Sequence, residues 1–282
     1  MRTVADYNVE VDDLQLSEKV ARLVQRSENI LDRTILSHIF SLIEITSLNT
    51  TDTEKSIIEL TDKINKIRTR FPDLPNVAAI CVYPSMVPFV KDTLKDKKVK
   101  IVSVAGSFPS SQTFMDIKLR EISRAIKEGA DEVDVVFSIG KFLEGDYNYV
   151  SDEIKLIKET SGNIPVKVIL ETGLIEDLRL IKIASFLALE AGADFIKTST
   201  GKIEKGASPQ SVWVICEAIK EYAAKTGRQA GIKPAGGITD IKSALHYYLI
   251  VIEVLGADWL KPEKFRIGAS KLANSLLGEK YF

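Results

Sequence analysis

Histidine is nearly absent from this 282-residue chain. Only His38 and His246 occur, and both lie in apolar, helix-like runs where a ring is ordinarily packed. Histidine is the commonest metal ligand and the usual acid–base group near neutral pH. A metal centre built on several imidazoles is therefore excluded, and proton transfer falls to lysine, carboxylates, tyrosine or water. Cysteine is equally scarce. Cys81 lies in AAICVYP and Cys216 in SVWVICEAIKEY. Two distant cysteines make neither a disulfide framework nor a close-spaced metal site, and both read as buried thiols in a reducing, cytoplasmic setting. No stretch has the roughly 18 uncharged apolar residues of a membrane span. The opening MRTVADYNVEVDD lacks the basic-then-apolar layout of a secretory leader. Charge excess is missing too: 38 Lys+Arg against 39 Asp+Glu leave a formal charge of -1. That argues against a nucleic-acid surface and leaves room for a local cationic site for a small phosphate.

What is present is a repeating α/β pattern. With 45% hydrophobic and 27% charged residues, the chain reads as globular and long enough for one barrel-sized core. Short apolar runs recur at Leu42–Thr46, Val77–Val82, Lys100–Val104, Glu132–Phe137, Val166–Glu171, Phe195–Thr198, Gly231–Pro234 and Phe265–Gly268. Helix-period stretches such as LREISRAIKEGA and LIKIASFLALEAGA separate most of them, each ending on a glycine stop. Eight strand-then-helix units at roughly 30 residues each fit a (β/α)8 barrel. An open doubly wound sheet shares the alternation and is the structural competitor. Residues 1–41 precede the first strand and read as one or two amphipathic helices, suited to capping the barrel floor or joining a subunit interface. No low-complexity linker follows them, so residues 1–282 form one domain with 1–41 as a helical extension.

Two of the apolar runs contain a lysine and lead straight into glycine: ADFIKTSTGK and GIKPAGG. An ammonium buried without a partner is costly. Side chains alternate across a strand, so Phe195, Lys197 and Ser199 share one face. An inward residue near a strand's C-terminal end points into a barrel's active-site mouth. Lys197 is thus a natural nucleophile, a lysine snorkelling from the strand end being the competing reading. Lys233 reads equally as its neighbour or as a salt-bridged core lysine. Asp134 stands in an otherwise apolar run and needs a partner; a triad with Lys197 and Lys233 resolves three costly burials together. Thr200, Gly201 and Lys202 form the turn after the sixth strand. The Thr-Gly-Lys end is not a nucleotide P-loop, because Ile196 and Ile203 stand where that motif needs Gly and Ser or Thr. Gly236, Gly237 and Gly268 to Ser270 end the last two strands, where this fold commonly holds phosphate. Thr46 is a candidate hydroxyl contact. Lys167 and Glu171 share one strand face and read as a structural ion pair.

FIKTSTGK, IKPAGG, EVDVVF at Glu132–Phe137 and IGAS at Ile267–Ser270 together resemble the 2-deoxyribose-5-phosphate aldolases, from about Ile43 to Leu277. The resemblance implies a (β/α)8 barrel and a Schiff base on Lys197, with Lys233 favouring the neutral amine by like-charge repulsion. It gives Asp134 a part in proton transfer with Lys233 and ordered water, and Lys202 a phosphate contact. The implied reaction is reversible cleavage of 2-deoxy-D-ribose 5-phosphate to acetaldehyde and D-glyceraldehyde 3-phosphate, in deoxynucleoside catabolism. Neither metal nor organic cofactor is needed, since the lysine itself is the electron sink. The implied partners are small phosphosugars and aldehydes, with no nucleic acid or membrane, and a homodimer is the expected assembly. Another Schiff-base phosphosugar aldolase, transaldolase-like and using a ketone donor, is the alternative; a silent phosphosugar-binding barrel is a third. The chain departs from the family pattern at Glu44 (usually Asp), Ser111 (usually Gly), Thr239 (usually Arg) and Lys271 (usually Ser or Thr). Lys271 is expected to supply the phosphate cation that Thr239 cannot, with a solvent-facing lysine as the competing reading.

Overall fold

The structure is a computed structural model that describes residues 3–27, 30 and 32–282. The expected extension over 1–41 therefore falls partly, at residues 1, 2, 28, 29 and 31, outside the described residues. Within it, helices α1 (Asp13–Ser27) and α2 (Arg33–Ser41) form as the amphipathic pattern predicts. Leu16, Val20 and Leu23 bury one face of α1. The chain then alternates: β1 (Ile43–Thr46), α3 (Glu54–Arg70), β2 (Ala79–Val82), α4 (Val87–Thr93), β3 (Lys100–Ala105), α5 (Met115–Glu128), β4 (Glu132–Val136). After a short α6 (Ile139–Leu143) come α7 (Tyr147–Ser161), β5 (Val166–Ile169), a one-turn α8 (Thr172–Ile175), α9 (Leu178–Glu190) and β6 (Phe195–Lys197). The last units are α10 (Pro209–Thr226), β7 (Gly231–Lys233), α11 (Ile241–Leu255), β8 (Ile267–Gly268) and α12 (Ser270–Leu277).

All eight strands are parallel, in the order β7-β6-β5-β4-β3-β2-β1-β8. Single bridges Ile232↔Phe265 and Ala235↔Gly268 join β7 to β8 and bring the sheet round to a (β/α)8 barrel. The open doubly wound sheet is thereby set aside. Local chemistry agrees with the fold. Ser208 and Ser211 cap α10 reciprocally, with Pro209 in its first turn. Asp177 caps α9, and left-handed Gly129 ends α5.

Strand alternation sorts the side chains. Outward residues such as Ile45, Ile80, Val133, Val135, Val168, Ile196 and Ile232 pack against the helices in the main core. The interior is split in character. On β2 and β3, Ala79, Cys81, Val102 and Val104 form a small apolar cluster with Leu48. Glu44, Glu132, Asp134, Lys167, Lys197 and Lys233, with Arg266 just ahead of β8, fill the rest with buried charge. The strand predicted over Phe265–Gly268 is shorter than expected, and so is Val166–Glu171, which ends at Ile169.

The extension lies against the outside of the barrel. α1 packs on α10 and α11, and α2 packs on α11 and α12. Tyr7 stacks on Phe186 at 4.1 Å and bonds Glu190.

Candidate active site

Lys197 ends β6 and Lys233 ends β7, paired at the same register. Both side chains turn inward and are 2% and 1% exposed. They donate to one oxygen: Lys197 Nζ lies 2.7 Å and Lys233 Nζ 2.6 Å from Asp134 Oδ2. The expected triad is therefore brought together. It belongs to a larger network. Lys167, beside Asp134 on β5, donates to Asp134 Oδ1 at 2.9 Å and approaches Glu132 Oε2 at 2.6 Å as an ion pair without hydrogen-bond alignment. Lys233 also binds Glu44, and Arg266 contacts Glu132 and Glu44.

The network fixes several charges. Burial pushes the Asp134 carboxyl up, but Lys167, Lys197 and Lys233 outweigh it and hold it well below its ordinary 3.8. Burial likewise pulls Lys233 down, and Asp134 and Glu44 more than reverse that. Lys167 is raised too, burial being outweighed by Asp134, Glu132 and Glu44. Both lysines stay cationic at neutral pH.

Above Lys197 and Lys233 opens a cavity of about 330 Å³. Thr46, Thr200, Gly201, Lys202, Gly236, Gly237, Gly268, Ser270 and Lys271 all border it, as does Thr239. The phosphate candidates thus converge on one space, and Lys271 shares it with Thr239. Gly236 takes φ +81°, and a Cβ added there would lie 3.0 Å from the Gly206 Cα, so two loops meet there through glycine. A Cβ at Gly268 would come within 3.2 Å of Lys233 Cε, so glycine leaves space for that lysine's stem. Some hydroxyls are already engaged. Ser270 Oγ donates to the Thr46 carbonyl at 2.8 Å and accepts from its N–H at 2.9 Å. Thr200 donates its hydroxyl and its N–H to Glu171. Glu171, expected to pair with Lys167, instead lies past the end of β5 in a left-handed conformation and shapes the Thr200 turn. Lys202 Nζ bonds the Leu48 carbonyl.

Sequence reasoning missed Glu132 and Arg266, although each is a charged residue at the edge of an apolar run. It also missed the wall: Phe108, whose ring centre is 6.0 Å from Lys197 Nζ, and Tyr83, edge-on to Phe108. Cys81, read only as a buried thiol, is buried in the barrel interior on β2, where Lys233, Asp134 and Glu44 act on its titration. Glu44, Cys81 and Asp134 each place one ligand atom within 4.8 Å of the others. The set does not suit a metal. Its carboxylates are held by lysines, and burial pushes the Cys81 thiol up to about 12, leaving it protonated. His38 Nδ1 lies 3.0 Å from the Tyr248 hydroxyl, away from the network. Among the described residues no helix is long and apolar enough to cross a membrane.

Comparisons with known proteins show the family and the fold. Residues 42–273 match the family model described as DeoC/LacD family aldolase. A Caenorhabditis elegans protein named "Putative deoxyribose-phosphate aldolase" is 36% identical over 281 residues, covering 97% of this chain and 92% of that protein. Among solved structures, the aldolase QR15 superposes with a TM-score of 0.70 at 29% identity, over 85% of this chain and 96% of its own. The tetrameric deoxyribose phosphate aldolase of Aeropyrum pernix gives 0.67 at 26% identity, over 91% and 95%. The chain belongs to the DeoC/LacD aldolase family and is a carbon–carbon lyase on a (β/α)8 barrel.

Proposed function

We propose that this aldolase cleaves 2-deoxy-D-ribose 5-phosphate reversibly to acetaldehyde and D-glyceraldehyde 3-phosphate through a Schiff base on Lys197. The observation that carries the reading is the shared Asp134 oxygen beneath two buried lysines at the barrel mouth. Four bases (Lys167, Lys197, Lys233, Arg266) and three carboxylates (Glu44, Glu132, Asp134) make up the buried network. A net buried charge is costly, and the count closes when one base is neutral. Lys167 meets three carboxylates, Lys233 two and Arg266 two, whereas Lys197 meets only Asp134. Lys197 therefore has the fewest carboxylate partners of the four bases, which supports it as the attacking amine.

The amine adds to the C1 aldehyde and, after loss of water, gives an iminium ion. The C3 hydroxyl gives up its proton, the C3 carbonyl forms, and the C2–C3 bond breaks. That bond is the one whose electrons the iminium can accept as an enamine. Asp134, bonded to both lysines, is placed to move protons at the hydroxyl and at the enamine carbon with Lys233 and water. Protonation of C2 and hydrolysis release acetaldehyde. Phe108, Tyr83 and the apolar β2–β3 face limit water around the enamine. Lys202 and Lys271, with the loop N–H groups of Gly236 and Gly237, hold the phosphate. No step calls for a metal or organic cofactor.

We read residues 1–282 as one domain, because α1 and α2 share the main core with the barrel. A cytoplasmic location is supported by two free, buried thiols. Self-association is in keeping with the tetramer of the Aeropyrum pernix protein, and light scattering tests whether this chain forms a homodimer. Product analysis tests the reaction: deoxyribose 5-phosphate should yield acetaldehyde, and condensation should accept acetaldehyde as donor. Strict use of a ketone donor would overturn the reading.

A further inference from the structure

The barrel floor holds an ion pair that the chemistry at the mouth does not reach. Arg266 donates from Nη2 to Glu132 Oε1 at 2.8 Å, and its Nη1 contacts Glu44 Oε2 at 3.4 Å. Its Nε is fixed by the Pro262 carbonyl. Glu132 opens β4 two residues before Asp134, on the same inward face. Both residues border a cleft at the floor of about 900 Å³; neither borders the mouth cavity.

Two chains of contacts run from this pair to Lys197. One passes from Glu132 through Lys167 to Asp134. The other passes from Arg266 through Glu44 and Lys233 to the same Asp134. Every member is at most 5% exposed, so solvent screens the chain weakly. Arg266 is a fixed charge, because a guanidinium does not titrate in this range. Glu132 is fixed as well: burial pushes its carboxyl up, but Lys167 and Arg266 bring it below its ordinary 4.5.

We propose that Arg266 and Glu132 are positioning residues that set, from the floor of the barrel, the pH range in which Lys197 is a nucleophile. The proposal rests on Lys197 as the Schiff-base lysine. Around Lys197 stand Asp134 from β4, Lys233 from β7, Lys167 from β5, Glu44 from β1 and Cys81 from β2. Lys202, Lys271 and Tyr83 stand at the mouth and Glu171 behind Thr200. Neither floor residue contacts Lys197, whose ion-pair partner is Asp134, so shifts of opposite sign report the charge of the pair. Arg266→Met leaves the network one positive charge short and favours the protonated, unreactive Lys197. Glu132→Gln leaves it one negative charge short and favours the amine. The two substitutions act in opposite directions, which loss of packing alone cannot do.

The experiment is the pH dependence of acetaldehyde trapping on Lys197 with cyanoborohydride, followed by intact mass and peptide mapping. A unit charge roughly 10 Å away, at an effective dielectric of about 20, moves a titration by about one pH unit. The acid limb of labelling should rise by about one unit in Arg266→Met and fall by about one unit in Glu132→Gln. Arg266→Lys and the double variant Glu132→Gln/Arg266→Met keep the charge balance, and their limbs should stay within a few tenths of the parent's. Where Arg266→Met does not fold, Glu132→Gln and Arg266→Lys decide. Shifts of the same sign, or none, with Lys197 still labelled, overturn the proposal. Failure of the parent protein to label Lys197 overturns the Schiff-base reading instead.

Discussion

Replacing Lys233 with methionine should move the working pH of this enzyme upward by about two units. The substitution keeps most of the stem volume and deletes one cation. Lys197 and Lys233 donate to the same Asp134 oxygen at 2.7 Å and 2.6 Å, so their nitrogens are separated by about 5 Å or less. Two like charges at about 5 Å, in an effective dielectric of about 20, repel by about 3 kcal/mol, a little over two pH units. Without Lys233 that repulsion is gone, and three carboxylates face three remaining bases. Neutrality of the network then favours a protonated Lys197. The sign follows: a proton bound more tightly must be removed at higher pH, so the acid limb of kcat/KM moves up. On the acid side the loss from this effect should be about 100-fold and should shrink as pH rises through the shifted limb, any loss that remains at high pH being Lys233's part in proton transfer. The assay is acetaldehyde release from deoxyribose 5-phosphate across pH, with circular dichroism confirming the fold. An unchanged pH profile, with activity lower at every pH by one factor, would refute the electrostatic argument and leave Lys233 a structural lysine.

Asp134→Asn keeps the shape but accepts no proton; kcat should fall by about 10²–10⁴ with KM nearly unchanged, and a pure KM effect in steady-state kinetics would contradict its role. Lys271→Ala should lower kcat/KM about 5-fold for deoxyribose 5-phosphate and leave unphosphorylated deoxyribose unaffected, since an exposed charge contributes only about 1 kcal/mol; equal responses mean no phosphate role. Activity should survive exhaustive dialysis against EDTA, because the Glu44–Cys81–Asp134 donors are held by lysines or protonated; loss with rescue by zinc would sink the mechanism. Asp134 and Glu132 are depressed below their ordinary 3.8 and 4.5 on folding. Their stabilisation is full above those values and is lost as pH falls through the folded ones. Calorimetric Tm should therefore hold down to about pH 5 and fall steeply below about pH 4; a fall already complete by pH 5 would contradict the direction of these shifts.

Period-2 runs separated by helical ones made the barrel legible, because strand faces and helix stripes leave different spacings in the sequence. Lys197, Lys233 and Asp134 were legible for a different reason: an ionisable residue in an apolar run signals a burial that needs a partner. Their mutual pairing was legible for the same reason, but Lys167 as a further partner of Asp134 was not. Lys167 reads as the mate of Glu171 by strand alternation, yet β5 ends at Ile169 and the chain turns left-handed at Glu171. Alternation stops where the strand stops. Arg266 and Glu132 escaped notice because each sits at the edge of its run, where a charge is unremarkable, and only closure of β8 onto β1 carries Arg266 inward. Phe108 and Tyr83 look like loop aromatics in sequence; the loops after β2 and β3 bring them together at the mouth.

The central claim is a covalent bond between Lys197 and an aldehyde carbon. Incubation with acetaldehyde and borohydride, then mass spectrometry, tests it most directly. The expected result is a single ethyl adduct (about 28 Da) on the peptide containing Lys197, abolished in Lys197→Arg, whose guanidinium cannot form the imine. An adduct mapped to Lys233 or Lys202, or labelling that persists in Lys197→Arg, would contradict the account.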